Sequence, residues 1–341
     1  MDANRPLNVA LLALPEVSGS TLHGMFDLFA SAGRDWAFLT AGETSAGAAR
    51  PYIVARNNAP IASFNGTTIM PHHAMDDCPE PDILCVSDFF IAPWESCKGR
   101  FDPEIAWIKR CYDAGTAVAA ACSGALLLAE AGILDGQDAT THWGYCEAMA
   151  KAYPRVRVHS GRTLVVSGHD QRIFMSGGGT SFQDLALFLI ARFISVAAAV
   201  EVAKVYLLDW HSEGTLAYAG LVTTRQPTDA QIGKCQEWLA DNYKRDTPVA
   251  TMIEMSGLPE RSFSRRFFRA TGQSPMDYVQ SLRIEEAKQI LETTDLSIEA
   301  VAHEVGYEDP SSFSRLFRRK TGITPAQYRK RFATLRQALQ G

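Results

Sequence analysis

The sequence predicts two domains of different fold class: an α/β sandwich around a mainly parallel sheet, and then an all-α domain with two helix-turn-helix units. Short apolar runs alternate with helical patterns in the first part of the chain, whereas a segment of the second part occurs twice. The 341 residues are enough for two hydrophobic cores. We assign residues 1–210 to the first domain, 211–229 to a linker and 230–341 to the second domain.

The first domain has the strand and helix order of an α/β fold. Strands are predicted at Asn8–Leu14, Trp36–Thr40, Ile83–Val86, Ala117–Ala121, Thr163–Ser167 and Ile173–Ser176. Helices are predicted at Leu22–Ala30, Pro103–Ala114, Gly124–Ala131, Gln183–Ser195 and Ala197–Asp209. This alternation favours a mainly parallel sheet, in which ligands bind beyond the carboxyl ends of the strands.

One strand-to-helix junction carries a cysteine between small residues. Ala119–Ala121 precede Cys122, and Ser123 and Gly124 follow it. Small residues allow a sharp turn that lifts the thiol above the sheet edge at the positive end of the next helix, where the pKa of a thiol falls. The same residues also suit a small, half-buried cysteine that only packs between strand and helix, so the junction leaves both interpretations open.

The second domain contains one pattern twice. Ser262-Phe263-Ser264-Arg265, with Phe267, Arg269, Thr271, Gly272, Pro275 and Tyr278, recurs as Ser312-Phe313-Ser314-Arg315, with Phe317, Arg319, Thr321, Gly322, Pro325 and Tyr328. Each copy follows an apolar-periodic stretch that ends at a glycine, Gly257 or Gly306, which predicts a helix, a tight turn and a second helix. The two phenylalanines of each copy are four residues apart and share a buried face.

The opposite face of each second helix carries outward polar groups. It is expected to expose Arg261, Ser264, Arg265 and Phe268 in the first copy, and Ser311, Ser314, Arg315 and Arg318 in the second. An amphipathic helix with outward arginine is usually only a solvated face, but such a face has no need to repeat the same Ser-Phe-Ser-Arg placement. Arginine can bond guanine bidentately and serine can reach bases or phosphates, so the pattern favours helices that read a major groove.

These motifs, from about Asp229 to Phe332, resemble an AraC/XylS-type DNA-binding domain. The closing segment Gly322–Arg329 is similar to that family's C-terminal signature, and the resemblance implies a linker helix through Met276–Leu291. It also implies double-stranded operator DNA as a partner, with RNA polymerase as a further one. By this resemblance the DNA-binding residues are Arg261, Ser264, Arg265, Ser311, Ser312 and Arg315.

Three segments of the first domain resemble the ThiJ/PfpI superfamily, whose fold is a flavodoxin-like sandwich of the class I glutamine amidotransferase-like type. They are Ala121–Gly132, Thr140–Trp143 and Ser176–Thr180. The order of a ThiJ/PfpI-like domain and then an AraC-type domain resembles the GlxA family of transcriptional regulators over nearly the whole chain. By this resemblance the ligand pocket is formed by Thr21, Cys122, Ser123, His142, Trp143 and Gly177.

The chain departs from the enzymes of that superfamily at one position. In those enzymes a carboxylate from the loop after the first strand hydrogen-bonds the cysteine, and by the resemblance Thr21 occupies that position here. A neutral hydroxyl cannot act as a general acid or base near neutral pH. We therefore expect no catalytic residue, no cofactor and no metal, and a pocket that senses a small effector such as an amino acid or a derivative.

Two alternatives to a pure sensor remain open at this stage. The pocket could retain Cys122-dependent hydrolase or hydratase activity, which would make the protein bifunctional. Alternatively, an exposed Cys122 of low pKa could oxidise reversibly and act as a redox sensor.

Charge and cysteine content place limits on partners and location. The net charge is −5, but residues 230–341 hold 17 Lys and Arg against 14 Asp and Glu, a net of +3, while residues 1–229 have a net of −8. This modest excess on one domain is consistent with sequence-specific DNA binding. The seven cysteines lack a disulfide pattern and no apolar stretch is long enough for a membrane span, so we expect a cytoplasmic protein without a membrane partner. ThiJ/PfpI-like domains commonly pair, so a homodimer is also expected.

Overall fold

The computed structural model describes residues 5–209, residue 217 and residues 229–332. The chain divides into two compact units, Met1–Thr215 and Leu216–Gly341. The predicted linker, 211–229, lies outside the described residues apart from Ala217 and Asp229. Ala217 is buried in a core of the second unit.

The first unit is built on a seven-stranded sheet. The strands of this unit are β1 (Leu7–Leu12), β2 (Ala49–Ala55), β3 (Ile61–Ala62), β4 (Thr68–Ile69), β5 (His73–Ala74), β6 (Ile83–Val86), β7 (Ala117–Ala121), β8 (Asp138–Ala139), β9 (Arg157–Val158), β10 (Leu164–Ser167) and β11 (Ile173–Ser176). The large sheet has the order β10-β11-β7-β6-β1-β2-β5, and its pairs are parallel except β10 with β11. The strands β3 with β4, and β8 with β9, form two small separate sheets.

Helices cover both faces of this sheet. They are α1 (Gly19–Ser31), α2 (Asp35–Ala41), α3 (Asp102–Asp113), α4 (Ala125–Glu130), α5 (Trp143–Ala152), α6 (Ser181–Phe193) and α7 (Val196–Tyr206). Alternate residues of each central strand enter two different cores, because successive side chains of a strand point to opposite faces. The helices α3, α4 and α5 close one core, and α1, α6 and α7 close the other. The sandwich predicted from the alternation of strands and helices is confirmed.

The prediction of a strand at Trp36–Thr40 is wrong. This segment lies in α2, which contains no buried residue, begins with Asp35 and ends at Gly42 in the left-handed conformation. The next strand along the chain that pairs with β1 is instead β2, which was not predicted from the sequence. A short apolar run does not distinguish strand from helix by itself, and here the run lies on the surface instead of entering the sheet.

The second unit contains two helix-turn-helix units in series. Its described helices are α8 (Ala230–Asn242), α9 (Pro248–Ser256), α10 (Glu260–Thr271), α11 (Pro275–Thr293), α12 (Ile298–Glu304), α13 (Pro310–Thr321) and α14 (Pro325–Phe332). The turns after α9 and α12 contain Gly257 and Gly306 with φ of 63° and 83°, a conformation that favours glycine. The Asp229 carboxylate accepts a hydrogen bond from the Ile232 amide and caps α8.

The long helix α11 belongs to both helix-turn-helix cores. Tyr278 and Val279 pack into the first core, while Ile284, Ala287 and Leu291 pack into the second. One rigid helix therefore sets the spacing between the two units. None of the helices in the described parts of the chain has both the length and the apolar character needed to cross a membrane.

Candidate functional sites

The repeated sequence folds as a repeated structure. The rings of Phe263 and Phe267 lie 5.5 Å apart, and Phe267 contacts Tyr278 edge-on at 5.4 Å. In the second copy Phe313 and Phe317 lie 5.7 Å apart, and Phe317 contacts Tyr328 at 5.4 Å. Each of these rings is buried, so the opposite faces of α10 and α13 are presented in the same way relative to their own cores.

The predicted outward residues of these two helices do lie outward. Arg261 and Arg265 on α10, and Ser311 and Arg315 on α13, are exposed, and Ser264 is half-buried. Phe268 is 59% exposed, which is unusual for a large apolar ring on a helix. Each unit therefore presents an exposed arginine on a short helix that follows a glycine turn.

Ser312 is a predicted DNA-binding residue whose side chain makes hydrogen bonds within the protein. Its hydroxyl donates to the Asp309 carboxylate at 2.5 Å and accepts a hydrogen bond from Arg315 at 3.0 Å. Asp309 also accepts the backbone N–H groups of Ser311 and Ser312 at 3.0 Å and so caps α13. These contacts orient Arg315, so the structure gives Ser312 a supporting position beside the arginine.

The first copy is held differently. Its helix α10 begins after Pro259, and no side chain caps it. Arg266 instead donates two hydrogen bonds of 2.8 Å to Asp229 at the start of α8. The equivalent position in the second copy is the buried Leu316. The two reading helices therefore share one backbone plan but differ in the contacts that fix them.

Two basic residues of the second unit, Lys320 and Arg329, bond to the chain itself. The Lys320 ammonium donates to the Ser281 hydroxyl at 3.3 Å, and Arg329 donates to the Leu296 carbonyl at 2.5 Å. Both side chains are half-buried. These two cations therefore have tertiary partners that the sequence pattern does not show.

The cysteine junction of the first unit forms a strained elbow. Cys122 has a φ of 53°, a left-handed conformation that is rare for residues other than glycine. A Cβ atom at Gly124 would lie 2.6 Å from the Val86 carbonyl oxygen, so only glycine lets the turn approach β6 so closely. The predicted sharp turn is present, and the small residues around it are required by this close approach.

The elbow brings together the three segments that carried the sequence resemblance. The Cys122 amide donates to the Gly177 carbonyl at 3.1 Å, and the Thr141 hydroxyl donates to the Cys122 carbonyl at 2.7 Å. Residue 178 has no side chain, and a Cβ there would lie 1.6 Å from His142 Cδ2. The His142 ring therefore rests directly on the backbone at Gly178, close to the elbow.

His142 and Ser123 use their polar atoms within the protein. His142 Nδ1 accepts a hydrogen bond of 3.1 Å from the Gly144 amide and caps α5, and burial lowers the pKa of its ring. The Ser123 hydroxyl donates to the Phe89 carbonyl at 2.7 Å and accepts from the Phe89 amide at 2.9 Å. Ser123 is fully buried, so it supports the site from beneath.

The expectation of a low pKa for Cys122 is wrong. Burial, with a smaller contribution from the negative charge of Asp88, raises the pKa of the thiol to about 12. Hydrogen bonding to Ser123 lowers the pKa of the thiol but does not offset the loss of hydration. Cys122 is therefore a neutral thiol at physiological pH, and no hydrogen bond within the described residues joins it to His142.

Asp88 also belongs to this site, although it was not predicted from the sequence. It follows β6, and the strand register, in which Val86 pairs with Ala120, places it beside the elbow. The Thr21 hydroxyl donates a hydrogen bond to its carboxylate, while burial raises the pKa of Asp88 to about 6. A carboxylate is thus present near the cysteine, but it follows β6, whereas the resemblance implied a carboxylate after the first strand. The Thr21 hydroxyl binds this carboxylate.

Comparison with protein families identifies the class of protein. The DJ-1/PfpI family profile matches residues 34–175, and a helix-turn-helix domain profile matches residues 252–331. The chain consists of a DJ-1/PfpI domain followed by an AraC-type helix-turn-helix domain, and it is similar to proteins named as HTH-type transcriptional regulators.

Individual relatives share this architecture over most of their length. The chain is 27% identical to the HTH-type transcriptional regulator CdhR of Pseudomonas aeruginosa over 283 residues, which cover 82% of this chain and 81% of CdhR. It is 26% identical to the HTH-type transcriptional regulator GlxA of Rhizobium meliloti over 238 residues, which cover 66% of this chain and 68% of GlxA. The solved structure of a ThiJ/PfpI family protein from Pseudomonas syringae matches the chain with a TM-score of 0.50 at 19% identity. The match covers 74% of this chain and 92% of that protein, and it supports the sandwich fold.

Proposed function

We propose that this regulator binds a specific double-stranded operator through α10 and α13, and that its DJ-1/PfpI domain senses a small effector at the Cys122 elbow. The observation that carries the first part is the repeated exposure of Arg265 and Arg315 on equivalent helices with equivalent buried phenylalanine faces. Arg261, Ser264 and the serines of α13 complete the proposed DNA surface.

The sensor interpretation is supported by the state of the elbow. Its thiol is neutral at physiological pH, and the Nδ1 atom of His142 is occupied as a helix cap. A nucleophilic cysteine needs a thiolate or a base that can take its proton. Thr21, Cys122, His142, Trp143 and Gly177 are therefore proposed as the surroundings of a bound effector, with no catalytic role.

A second candidate function is Cys122-dependent hydrolysis or hydration, and Asp88 is the observation that favours it. A carboxyl group whose pKa is raised to about 6 could exchange protons near neutral pH. From the sequence, no such group was expected beside the cysteine. Replacing Cys122 by alanine separates the two functions. If the protein is a sensor without catalytic activity, no turnover of small amides or isocyanides is detected in either protein, even where the change weakens effector binding. Turnover that disappears in Cys122→Ala would establish the enzyme instead.

The DNA-binding proposal is tested by selecting bound sequences from a random DNA library and measuring affinities for the selected site. Arg265→Ala and Arg315→Ala are each expected to cost about 1–3 kcal/mol and to relax specificity at one base position. Lys234→Ala, which removes an exposed positive charge from α8, is the control for a general charge effect. Unchanged affinity and specificity in both arginine variants would overturn the proposed surface.

Assembly and location are part of the same proposal. A homodimer would present four helix-turn-helix units to repeated half-sites, and an operator-bound regulator can contact RNA polymerase. The cysteines are all free in the structure, which suits a reducing cytoplasm. Light scattering coupled to size exclusion tests the dimer, and a strictly monomeric protein with and without DNA would contradict it.

A further inference from the structure

The Asp88 carboxylate has an open position for a hydrogen-bond donor. The Thr21 hydroxyl and the backbone N–H of Asp88 donate to the carboxylate, but the buried Oδ1 atom has no hydrogen-bond partner among the described residues. An unsatisfied buried acceptor is costly, and most buried polar atoms in proteins are hydrogen-bonded. Asp88 is only half-buried as a whole, so its side chain is not sealed from solvent.

The backbone around Asp88 defines what lies next to it. The segment 88–90 runs antiparallel to 16–18: the Ser18 amide donates to the Asp88 carbonyl at 3.2 Å, and the Phe90 amide donates to the Glu16 carbonyl at 3.0 Å. Alternate side chains of an extended segment lie on the same side, so Asp88 and Phe90 share a side. Phe90 is 44% exposed and stacks on Phe64 with ring centroids 3.6 Å apart.

Two further polar groups at the ends of the strands lack partners. The hydroxyls of Ser87 and Ser176 are buried, and neither has a hydrogen-bond partner among the residues that the structure describes. Ser176 pairs in register with Ala121, and Ser87 directly follows Val86, which pairs with Ala120. Unpartnered polar groups thus lie at the carboxyl ends of β6 and β11, the two neighbours of β7, where open α/β sheets bind ligands.

We propose that Asp88 recognises the effector, and that the effector presents a primary or secondary ammonium group to this carboxylate and an apolar group to the Phe64–Phe90 pair. The inference rests on the proposed sensing function and specifies its ligand class. An ammonium N–H fills the open acceptor and makes a charge-assisted hydrogen bond. A quaternary ammonium ion carries the charge but has no N–H to donate, and a carboxylate ligand meets a like charge.

Matched probes test this directly. Phenethylammonium, its N,N,N-trimethyl derivative and 3-phenylpropanoate share a phenyl group but differ in the group offered to Asp88. Binding to the full-length protein is followed by calorimetry and by the rise in melting temperature, since a ligand of the folded state stabilises it. We expect the primary ammonium ion to bind at least about tenfold tighter than the quaternary one, which corresponds to one charge-assisted hydrogen bond, and the carboxylate not to bind.

Two variants locate the site. Asp88→Asn keeps the shape but removes the charge, and it should weaken phenethylammonium binding at least about tenfold, as expected for loss of a charge-assisted contact. Asp77→Asn makes the same change at an exposed carboxylate and should leave binding unchanged. Equal binding of the quaternary ion, absence of binding by all three probes at millimolar concentration, or an unaffected Asp88→Asn variant would overturn the inference.

The experiments distinguish failure of this ligand class from failure of the proposed function. If the quaternary ion or the carboxylate binds and alters DNA affinity, the domain is a sensor and only the ligand class is wrong. If Arg265→Ala and Arg315→Ala leave DNA binding intact, the DNA-binding proposal fails whatever the probes do.

Discussion

The Arg283 guanidinium donates a hydrogen bond of 2.9 Å to the Gly306 carbonyl, which ties the linker helix α11 to the turn of the second helix-turn-helix unit. The same guanidinium donates at 2.8 Å to the carbonyls of Tyr243 and Arg245 at the end of α8. A Cβ atom at Gly306 would lie 2.6 Å from the Lys244 carbonyl oxygen. The two helix-turn-helix units are therefore locked against each other at Gly306. At Gly257 a Cβ would meet nothing within 4 Å among the residues that the structure describes.

This contact predicts unequal effects of the same substitution at the two turn glycines. Gly257→Ala should lower the free energy of unfolding by about 1 kcal/mol, the cost of a left-handed alanine. Gly306→Ala should cost about 2–4 kcal/mol because the new methyl group also collides with the Lys244 carbonyl. Calorimetry of the helical domain's transition in the full chain measures both, and equal losses would show that the collision is relieved without cost.

Asp88→Asn should stabilise the protein in a pH-dependent way. The folded state raises the pKa of Asp88 to about 6, above the value of about 4 in an unfolded chain. Between these values the folded state binds more protons, so the carboxyl group lowers stability as pH rises through this window. At pH 8 the variant should gain about 1–3 kcal/mol, the energy of a shift of roughly two pKa units, whereas below pH 4 the gain should vanish. Melting temperatures at several pH values test this, and Asp77→Asn is the control.

Cys122 should react slowly with alkylating agents. With a pKa of about 12, its thiolate fraction at pH 8 is about a thousandfold below that of an ordinary thiol. Mass spectrometry of iodoacetamide-treated protein should find this peptide alkylated only after denaturation, and Cys122→Ser identifies the signal. Rapid alkylation of Cys122 in the native protein at pH 7 would contradict this prediction and support the redox-sensing alternative.

Gly178→Ala should displace the His142 ring. The new Cβ would overlap His142 Cδ2, so the ring must leave its buried position, and its pKa should rise from its lowered value toward about 6.5. Gly179→Ala is the matched control because a Cβ there meets nothing within 4 Å, although its φ of 62° introduces backbone strain. NMR titration of His142 distinguishes the two variants. The same pKa in Gly178→Ala and in the unmodified protein would mean that the loop, not the ring, moves.

Much of the fold was predictable because it depends on local patterns. The strands Ile83–Val86, Ala117–Ala121 and Ile173–Ser176 were predicted with their observed bounds, since each is a compact apolar run beside turn residues. The surface helix at Asp35–Ala41 was not, because its apolar residues are not buried and give no reliable periodicity. The segment Ala49–Ala55 was not predicted as a strand, because only its parallel pairing with β1 identifies it and that pairing is not a local property of the sequence.

The sequence by itself determined the duplicated helix-turn-helix plan and its two phenylalanine cores, because the four-residue spacing and the glycine turns are local properties of the chain. It also determined the cysteine elbow, since small residues on both sides are needed there. Tertiary structure decided the chemistry around that elbow. The sheet order β11-β7-β6-β1 brings Asp88, Thr21 and Cys122 together from distant segments, and burial keeps the thiol protonated. Such proximity and burial depend on which strands become neighbours, which no local pattern in the chain specifies.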